Sequence, residues 1–332
     1  MNVFLFAANA VAPIVILMLV GYFLKLSGAF KEDFFKHGNK LVFRVALPVM
    51  LFFNIYNVET LSDINWVTVI FAIAITLILF AAGFVSTFFI KDKSQKGVIW
   101  QNFFRANTAI IGIPLAISLG GEAALPVISI LSAFCVTAYN VLSIVALSLY
   151  TDGGKKTSEG DFAKKMFTNP LLIAIIAGLL AVFVRSLLPL NQADEPVFTI
   201  KNNLPFVYTA LELISNMTTP FSLIVLGGLF SFSAVRKLKS QIIIGTMSRI
   251  VVAPVIGIGF ALLLKDVFNF GAPEFAAFVS MFCPPAAVSG LAMAAEMKND
   301  DRLAGQLVVW TTVFSTFTIY FTTVILKFCK VI

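Results

Sequence analysis

Two helix-breaking stretches interrupt long apolar runs of this chain, and their residue types are suited to holding an anion. The first is Asn107–Pro114, with the sequence NTAIIGIP, and the second is Pro284–Gly290, with the sequence PPAAVSG. Proline lacks a backbone N–H and clashes with the carbonyl four residues earlier, while glycine adds backbone freedom. If the helices open and cross there, the amino-terminal ends of the resumed helices point partial positive charge at the middle of the run.

The alternative for each stretch is a kinked but continuous helix, since proline and glycine are common in membrane spans. Two interruptions at corresponding places in two halves of a chain favour opened helices. In hydrocarbon, unpaired backbone groups persist only where protein or a water-filled cavity covers them. A matched pair of interrupted segments therefore predicts the binding site of a transporter.

The elements that position these stretches are predicted to be membrane-spanning helices. The 332 residues are 59% hydrophobic and 12% charged, with a mean hydropathy of +0.95, whereas soluble domains have about 25% charged residues. The apolar runs are long enough for a bilayer core about 30 Å thick, and they lack the alternation of barrel strands. Ten spans are predicted, at about 4–25, 34–57, 65–90, 97–118, 122–150, 167–188, 204–232, 239–264, 272–296 and 302–328.

The connectors between these spans alternate in charge. The net charge of +7 arises from Lys and Arg concentrated in the odd-numbered connectors, whereas the even-numbered connectors carry mainly Asp and Glu. This distribution indicates topology rather than a nucleic-acid partner. The positive-inside rule places the odd-numbered connectors in the cytoplasm and both termini outside. We therefore expect a multi-pass protein of the cell (inner or plasma) membrane, with the lipid bilayer as its surroundings.

The longest polar connector divides the spans five and five. The predicted organisation is a first repeat at 1–150, a cytoplasmic connector at 151–166 and a second repeat at 167–332. Because each repeat has an odd number of spans, the two are oppositely oriented. The predicted fold is an all-α polytopic membrane protein with a five-plus-five inverted repeat, in which helices 4 and 9 are broken and cross.

Ionisable residues inside spans are costly and suggest function by default. They are Arg44, Arg105, Glu212, Arg249 and Glu296. Arg105 and Glu296 lie near predicted cytoplasmic ends, where snorkelling or a salt bridge would explain them. Arg44 admits either substrate guidance or anchoring. Glu212 admits either proton coupling, if burial raises its pKa, or a structural pairing.

Polar residues of span 7 form a further candidate group. Asn216, Thr218 and Thr219, together with Ser222, are able to line a cation or substrate site. Threonine and serine hydroxyls also bond to their own helix backbone, which is the alternative. With Arg44 and Glu212, the residues Asn216, Thr218 and Thr219 complete the predicted coupling or gating set.

Several local motifs match a known family. They are Asn107-Thr108 with Gly112-Ile113-Pro114-Leu115, Arg249-Ile250 with Pro254, Pro285 followed by Glu296-Met297, and the stretch from Pro220 to Leu229. Through them the chain resembles the auxin efflux carrier family, which groups plant auxin exporters with bacterial permeases of malate, malonate and other small organic acids. The resemblance runs across essentially all ten spans.

The resemblance implies a scaffold domain and a transport domain, each built from both repeats, with an anion held where helices 4 and 9 cross. It implies that Asn107 contacts the substrate carboxylate and that Tyr139-Asn140 is the nearest match to a pocket tyrosine of the fifth helix. Where plant carriers have a second crossing proline, this chain has Ser289-Gly290, so a substrate other than an indole acid is expected. The predicted substrate-binding residues are Asn107, Thr108, Gly112, Ile113, Pro114, Tyr139, Asn140, Pro285, Val288, Ser289 and Gly290.

The predicted function is secondary transport of small organic anions, either malate- or malonate-like carboxylates or auxin-like acids, by alternating access. The chain has one histidine, His37, and no Walker motif. These features predict no enzyme, no ATP coupling, no metal site and no cofactor. A proton or Na⁺ is left open as the coupling ion, and a homodimer as the assembly. An anion channel and a non-transporting membrane receptor are the alternatives.

Overall fold

The computed structural model describes residues 3–57, 65–150, 168–189 and 196–332. All regular structure in these ranges is helical, apart from isolated bridge residues, of which Ala106 and Ala286 form an antiparallel pair. The predicted all-α class is therefore confirmed. The predicted connector at 151–166 lies outside the described residues.

The longer helices are numbered α1 to α12 along the chain. They are α1 (Val3–Leu26), α2 (Glu32–Tyr56), α3 (Trp66–Phe89), α4 (Lys93–Phe104), α5 (Ile113–Gly120), α6 (Ala124–Ser148), α7 (Pro170–Leu187), α8 (Pro205–Leu229), α9 (Lys239–Leu263), α10 (Ala272–Phe282), α11 (Ser289–Glu296) and α12 (Asp301–Phe328). Short helical turns lie in the connectors at Ile200–Asn203, Phe232–Lys237 and Lys265–Phe268.

Each predicted span contains helix, and the fourth and ninth each contain two short helices. Within the described ranges, seven helical stretches are long and apolar enough to cross a membrane. One of these stretches, Thr108–Ser148, includes both α5 and α6, which pack together across a turn at Gly121 with φ 65°. A multi-pass membrane protein follows from these lengths and compositions.

The described helices contain π-helical turns, each of which comes just before a proline. The turns are Val42–Ala46, Thr108–Gly112 and Ser248–Val252, and the prolines are Pro48, Pro114 and Pro254. Because proline removes an N–H and pushes on the carbonyl four residues earlier, the helix widens locally. Hydroxyls of neighbouring helices satisfy carbonyls in two of these turns: Thr218 Oγ1 donates to Ala46 O at 3.1 Å, and Thr318 Oγ1 donates to Ile250 O at 2.9 Å.

The helices pack in two groups. In the first group, α1 lies against α8, and the second half of α2 lies against α7. The α1–α8 contact brings backbones together, since a Cβ at Gly227 would overlap the Met18 carbonyl group. In the second group, α10 packs against α5, α6 and α9, while α3 packs against α4 and α6.

The described odd-numbered connectors lie together at one end of the molecule, which we call the basic face (residues 25–36, 91–96, 231–239 and 298–302, with the end of α6). The contacts that join them are Gln95 Nε2 to Asp300 Oδ2 at 3.1 Å, Asn299 Nδ2 to Leu147 O at 3.1 Å, Gln306 Nε2 to Ser231 O at 2.9 Å, and a cavity shared by Glu32, Lys36, Ser231 and Asp301. At the opposite face, Arg185 donates to Tyr56 O at 2.9 Å and Tyr208 donates to Asn57 Oδ1 at 3.3 Å.

Candidate functional site

The two predicted breaks are present, and they meet. α4 ends at Phe104 and α10 ends at Phe282. Between each end and the next helix, the Asn107 N–H donates to Pro285 O at 2.8 Å and the Ala287 N–H donates to Arg105 O at 3.2 Å. The two unwound segments thus satisfy part of each other's backbone, as burial in a membrane requires. The alternative of kinked but continuous helices is therefore wrong for both. We call residues 105–107 and 283–288 the crossing.

Local sequence explains where the helices stop and how closely they approach. Pro284 and Pro285 cannot continue α10, because neither has an N–H and each disfavours helical geometry at the residue before it. Beyond the other break, the turn that leads into α5 packs against α10 at Gly112, where a Cβ would overlap the Ser280 carbonyl oxygen. Glycine at this position therefore sets the distance between the two broken segments.

Gly112→Ala is expected to destabilise the protein by about 1–3 kcal/mol, because the added methyl group would push α5 away from α10. Thermal unfolding in detergent, followed by circular dichroism, measures this effect. The matched control is Gly259→Ala in α9, where no atom outside the neighbouring backbone of the same helix lies within 4 Å of the added Cβ. Alanine there favours the helix by roughly 0.5–1 kcal/mol. Equal unfolding temperatures for the two variants would contradict the assignment of Gly112 as the contact point.

Arg249 holds the carboxyl-terminal ends of both interrupted helices. Its side chain is fully buried, with 0% exposure. Nε donates to Pro284 O at 3.0 Å, and the two terminal nitrogens donate to Phe103 O at 3.1 Å and Phe282 O at 2.6 Å. Carboxyl-terminal helix ends carry partial negative charge and carbonyls without intrahelical partners. One guanidinium therefore satisfies and neutralises the ends of α4 and α10 together.

Arg105 is a second buried cation at the crossing, with 4% exposure. One terminal nitrogen donates to Ser143 Oγ at 3.0 Å, and the other donates to Asn140 Oδ1 at 2.7 Å and to Ser289 Oγ at 2.8 Å. Nε is buried without a hydrogen-bond partner. Within the described chain, no carboxylate forms an ion pair with Arg105. Its charge is therefore uncompensated by any described acid.

The prediction that Arg105 snorkels or forms a salt bridge is wrong. Residue 105 follows a helix of 12 residues that starts at the basic face, which places it about 18 Å from that helix's first residue at 1.5 Å per residue. That depth, and the position directly before a helix break, were the signals in the sequence that could have identified it.

A cavity of about 60 Å³ lies beside the crossing. Its lining consists of Arg105 and residues from five elements: the two broken segments, α6, the second half of α2 and the middle of α8. The lining residues outside Arg105 are Leu47, Met50, Asn54, Ala106, Asn107, Thr108, Ala109, Ile110, Val136, Tyr139, Asn140, Thr218, Thr219, Ser222, Ala287, Val288 and Ser289. The buried Asn107 amide faces this space without a hydrogen-bond partner among the described residues.

The electrostatics of the crossing favour an anion in this cavity. Four helix ends meet there: the carboxyl-terminal ends of α4 and α10, and the amino-terminal ends of α11 and of the turn that leads into α5. Arg249 compensates the carboxyl-terminal ends. At the start of α11, the Gly290 and Leu291 N–H groups donate to Ala287 O at 3.0 Å and Val288 O at 3.1 Å. The amino-terminal ends therefore contribute partial positive charge, which faces the cavity together with the charge of Arg105.

Comparison with known proteins shows the family of this chain. Residues 6–323 match the model of a family described as membrane transport proteins. The chain belongs to this auxin efflux carrier family. It is similar to an uncharacterized transporter of Methanocaldococcus jannaschii, with 26% identity over 318 residues, covering 92% of this chain and 94% of the relative. A further uncharacterized transporter, from Methanothermobacter thermautotrophicus, is 22% identical over 321 residues, covering 94% of this chain and 96% of the relative. The family is one of transporters rather than enzymes.

The residues predicted to bind substrate in this auxin efflux carrier family member divide into two groups. The cavity lining includes Asn107, Thr108, Tyr139, Asn140, Val288 and Ser289. The others lie in the framework of the crossing rather than in the lining: Gly112, Ile113, Pro114, Pro285 and Gly290. Tyr139 and Asn140 also hold Arg105, through the Tyr139 carbonyl at 3.5 Å and the Asn140 side-chain oxygen.

The predicted coupling or gating residues of this carrier family member are not brought together. Thr218 and Thr219 line the cavity, but the Thr218 hydroxyl donates to backbone carbonyls, including Ile214 O of its own helix at 2.9 Å. Glu212 and Asn216 lie outside the cavity lining. Arg44 lies towards the basic face, where its Nε is 3.7 Å from Glu296 Oε2. The salt bridge predicted for Glu296 is thus present, and its partner is Arg44.

Proposed function

We propose that this protein is a secondary transporter of small organic anions and that the anion binds in the cavity beside the crossing. The observation that carries the proposal is the buried guanidinium of Arg105, which lacks a described carboxylate partner and lies beside two amino-terminal helix ends and the unpartnered Asn107 amide. A buried cation costs free energy unless it is paired. A bound carboxylate supplies the missing charge.

We further propose ten spans arranged as a five-plus-five inverted repeat. The packing supports this arrangement, since α1 with α8 and α7 with α2 are equivalent pairs when the first and second repeats are exchanged. The breaks between α4 and α5 and between α10 and α11 are a second equivalent pair. Helices α1, α2, α7 and α8 then form the scaffold domain, and the remaining helices form the transport domain, each drawn from both repeats.

The proposed topology follows from the two faces of the molecule. The basic face gathers connectors rich in Lys and Arg, and the positive-inside rule places such connectors in the cytoplasm. Both termini are then extracytoplasmic, in a multi-pass protein of the cell membrane. The cavity extends from the crossing towards the opposite face, along the second half of α2, while Arg44 and Glu296 link α2 to α11 on the cytoplasmic side. Alternating access requires the scaffold and transport domains to move relative to each other, so that the cavity closes towards the opposite face and opens towards the cytoplasmic side.

The proposal is tested by uptake of radiolabelled acids into proteoliposomes that contain the full-length protein. Acetate, lactate, malonate, malate and an indole acid are supplied in turn, with proton and Na⁺ gradients imposed separately. Saturable uptake of at least one acid is expected. Uptake that stays linear with concentration would indicate a channel instead, and binding without uptake would indicate a receptor.

Asn107→Ala is expected to weaken anion binding about tenfold to a hundredfold while the protein still folds and inserts. The substitution removes an amide that donates two hydrogen bonds, and a hydrogen bond to a charged group contributes about 1.5–3 kcal/mol. The concentration for half-maximal uptake measures the effect. Asn203→Ala, at an exposed position near the opposite face, is the control and is expected to match the parent. Equal affinities for Asn107→Ala and the parent would remove Asn107 from the site.

A further inference from the structure

We infer that the site accepts short carboxylates that carry a single negative charge, and that it rejects dicarboxylates of similar size. The inference rests on the proposed function, because it concerns the anion at the same crossing. It follows from the number and arrangement of the charged and donor groups around the cavity and from the size of the cavity.

The cavity contains one counter-charge. Among the described lining residues, Arg105 is the only charged side chain. Arg249, the other buried cation of the crossing, is outside this lining and is already directed at three carbonyls. A carboxylate beside Arg105 is therefore compensated, whereas a second carboxylate on the same molecule would be buried without a partner.

The hydrogen-bond donors also converge on one end of the cavity. Both terminal nitrogens of Arg105 are engaged, and one of them donates to Ser289 Oγ at 2.8 Å. A serine hydroxyl that accepts this bond keeps its own hydrogen free to donate. That hydrogen and the two N–H groups of the Asn107 side-chain amide are sufficient for the two oxygens of one carboxylate.

The rest of the cavity is neutral. Leu47, Met50, Ile110 and Val136 supply apolar surface, and Asn54 and Thr219 supply uncharged polar groups. These residues accept a methyl, hydroxyl or keto group, and none of them neutralises a carboxylate. At about 60 Å³, the space holds roughly four to six water-sized volumes of 10–15 Å³ each. This size fits an acid of acetate or lactate dimensions.

The decisive comparison is between malonate and malonamate, because the second replaces one carboxylate with an amide of nearly the same size. Uptake of both, and of acetate and lactate, is measured at neutral pH in proteoliposomes containing the full-length protein. The monoanions are expected to reach half-maximal uptake at concentrations at least about tenfold lower than malonate, a difference of about 1.4 kcal/mol. Malonate taken up as well as or better than every monoanion would overturn the inference and leave the proposed anion transport standing. No saturable uptake of any acid would instead overturn the proposed function.

A substitution at the neutral end provides a second test. Met50→Lys places a cation among the apolar lining residues, and Met50→Gln is the control of similar length without charge. Met50→Lys is expected to improve malonate uptake relative to malonamate by about tenfold, whereas Met50→Gln leaves their ratio as in the parent. An unchanged ratio in a Met50→Lys protein that still takes up acetate or lactate would show that the neutral end does not determine charge selectivity.

Discussion

Arg105→Gln is expected to weaken anion binding by at least about thirtyfold while the protein remains folded. Removing one partner of a buried, hydrogen-bonded charge pair typically costs about 2–5 kcal/mol, which corresponds to a loss of affinity of roughly thirtyfold to several thousandfold. Folding is expected to survive because, without substrate, the guanidinium is a buried charge with no described carboxylate partner. Binding to purified protein of whichever acid the parent binds best measures the effect.

One further variant, compared with a control at another arginine, separates the charge of Arg105 from its shape. Arg105→Lys retains the charge but lacks the planar fork that reaches Ser143, Asn140 and Ser289 at once. Its affinity is expected to fall between those of the parent and Arg105→Gln. Arg236→Gln, at an exposed arginine on the basic face, is the control. Parental affinity in Arg105→Gln would show that this cation does not compensate the substrate.

Arg249→Gln is expected to prevent the crossing from assembling. The substitution leaves up to three buried carbonyls, those of Phe103, Phe282 and Pro284, without their donor. A buried acceptor left unsatisfied costs about 1–3 kcal/mol, so three of them are expected to cost about 3–9 kcal/mol. This loss is comparable with the whole stability of many domains, about 5–15 kcal/mol. The yield of monodisperse protein after membrane extraction and its unfolding temperature measure the loss.

The expected effects of the two arginines differ in kind. The Arg105→Gln protein is expected to lose affinity for the anion and to keep its fold. The Arg249→Gln protein is expected to lose its fold whether or not the anion is present. The same Arg236→Gln control serves both comparisons. An Arg249→Gln protein with parental stability and weakened anion binding would indicate that Arg249 faces the substrate rather than the ends of α4 and α10.

The breaks were predictable from the sequence because their causes are local. Pro284, Pro285 and Pro114 act on the few residues next to them, and the apolar runs on either side determine the helices. The all-α class and the family followed in the same way. The sequence also indicated which polar residues border the cavity, since Asn107, Thr108 and Ser289 lie next to the breaks.

The roles of the two arginines were not predictable, because they depend on distant partners. Arg105 meets residues 35 and 184 positions away, and Arg249 meets a carbonyl 146 positions away. Nothing in the sequence next to Arg249 distinguishes a clamp on helix ends from an anchor at the membrane surface. For Arg105, the depth in the span and the adjacent helix break indicate a buried position but not its partners. Thr218 illustrates the same limit, since its sequence environment fits both a cavity lining and a bond to its own helix, and the structure contains both.

The separation of Arg105 and Ser289 by 184 residues has a consequence for biosynthesis. When the first half of the chain has entered the membrane, Asn107 and Arg105 still lack the Pro285 carbonyl and the Ser289 hydroxyl, because those residues are yet to be translated. Contacts between such distant residues form late, after the costly closure of a long chain segment. The proposed anion site therefore matures last. A chain truncated between the halves is expected to present to cellular proteases an arginine and unpaired backbone groups within a membrane span.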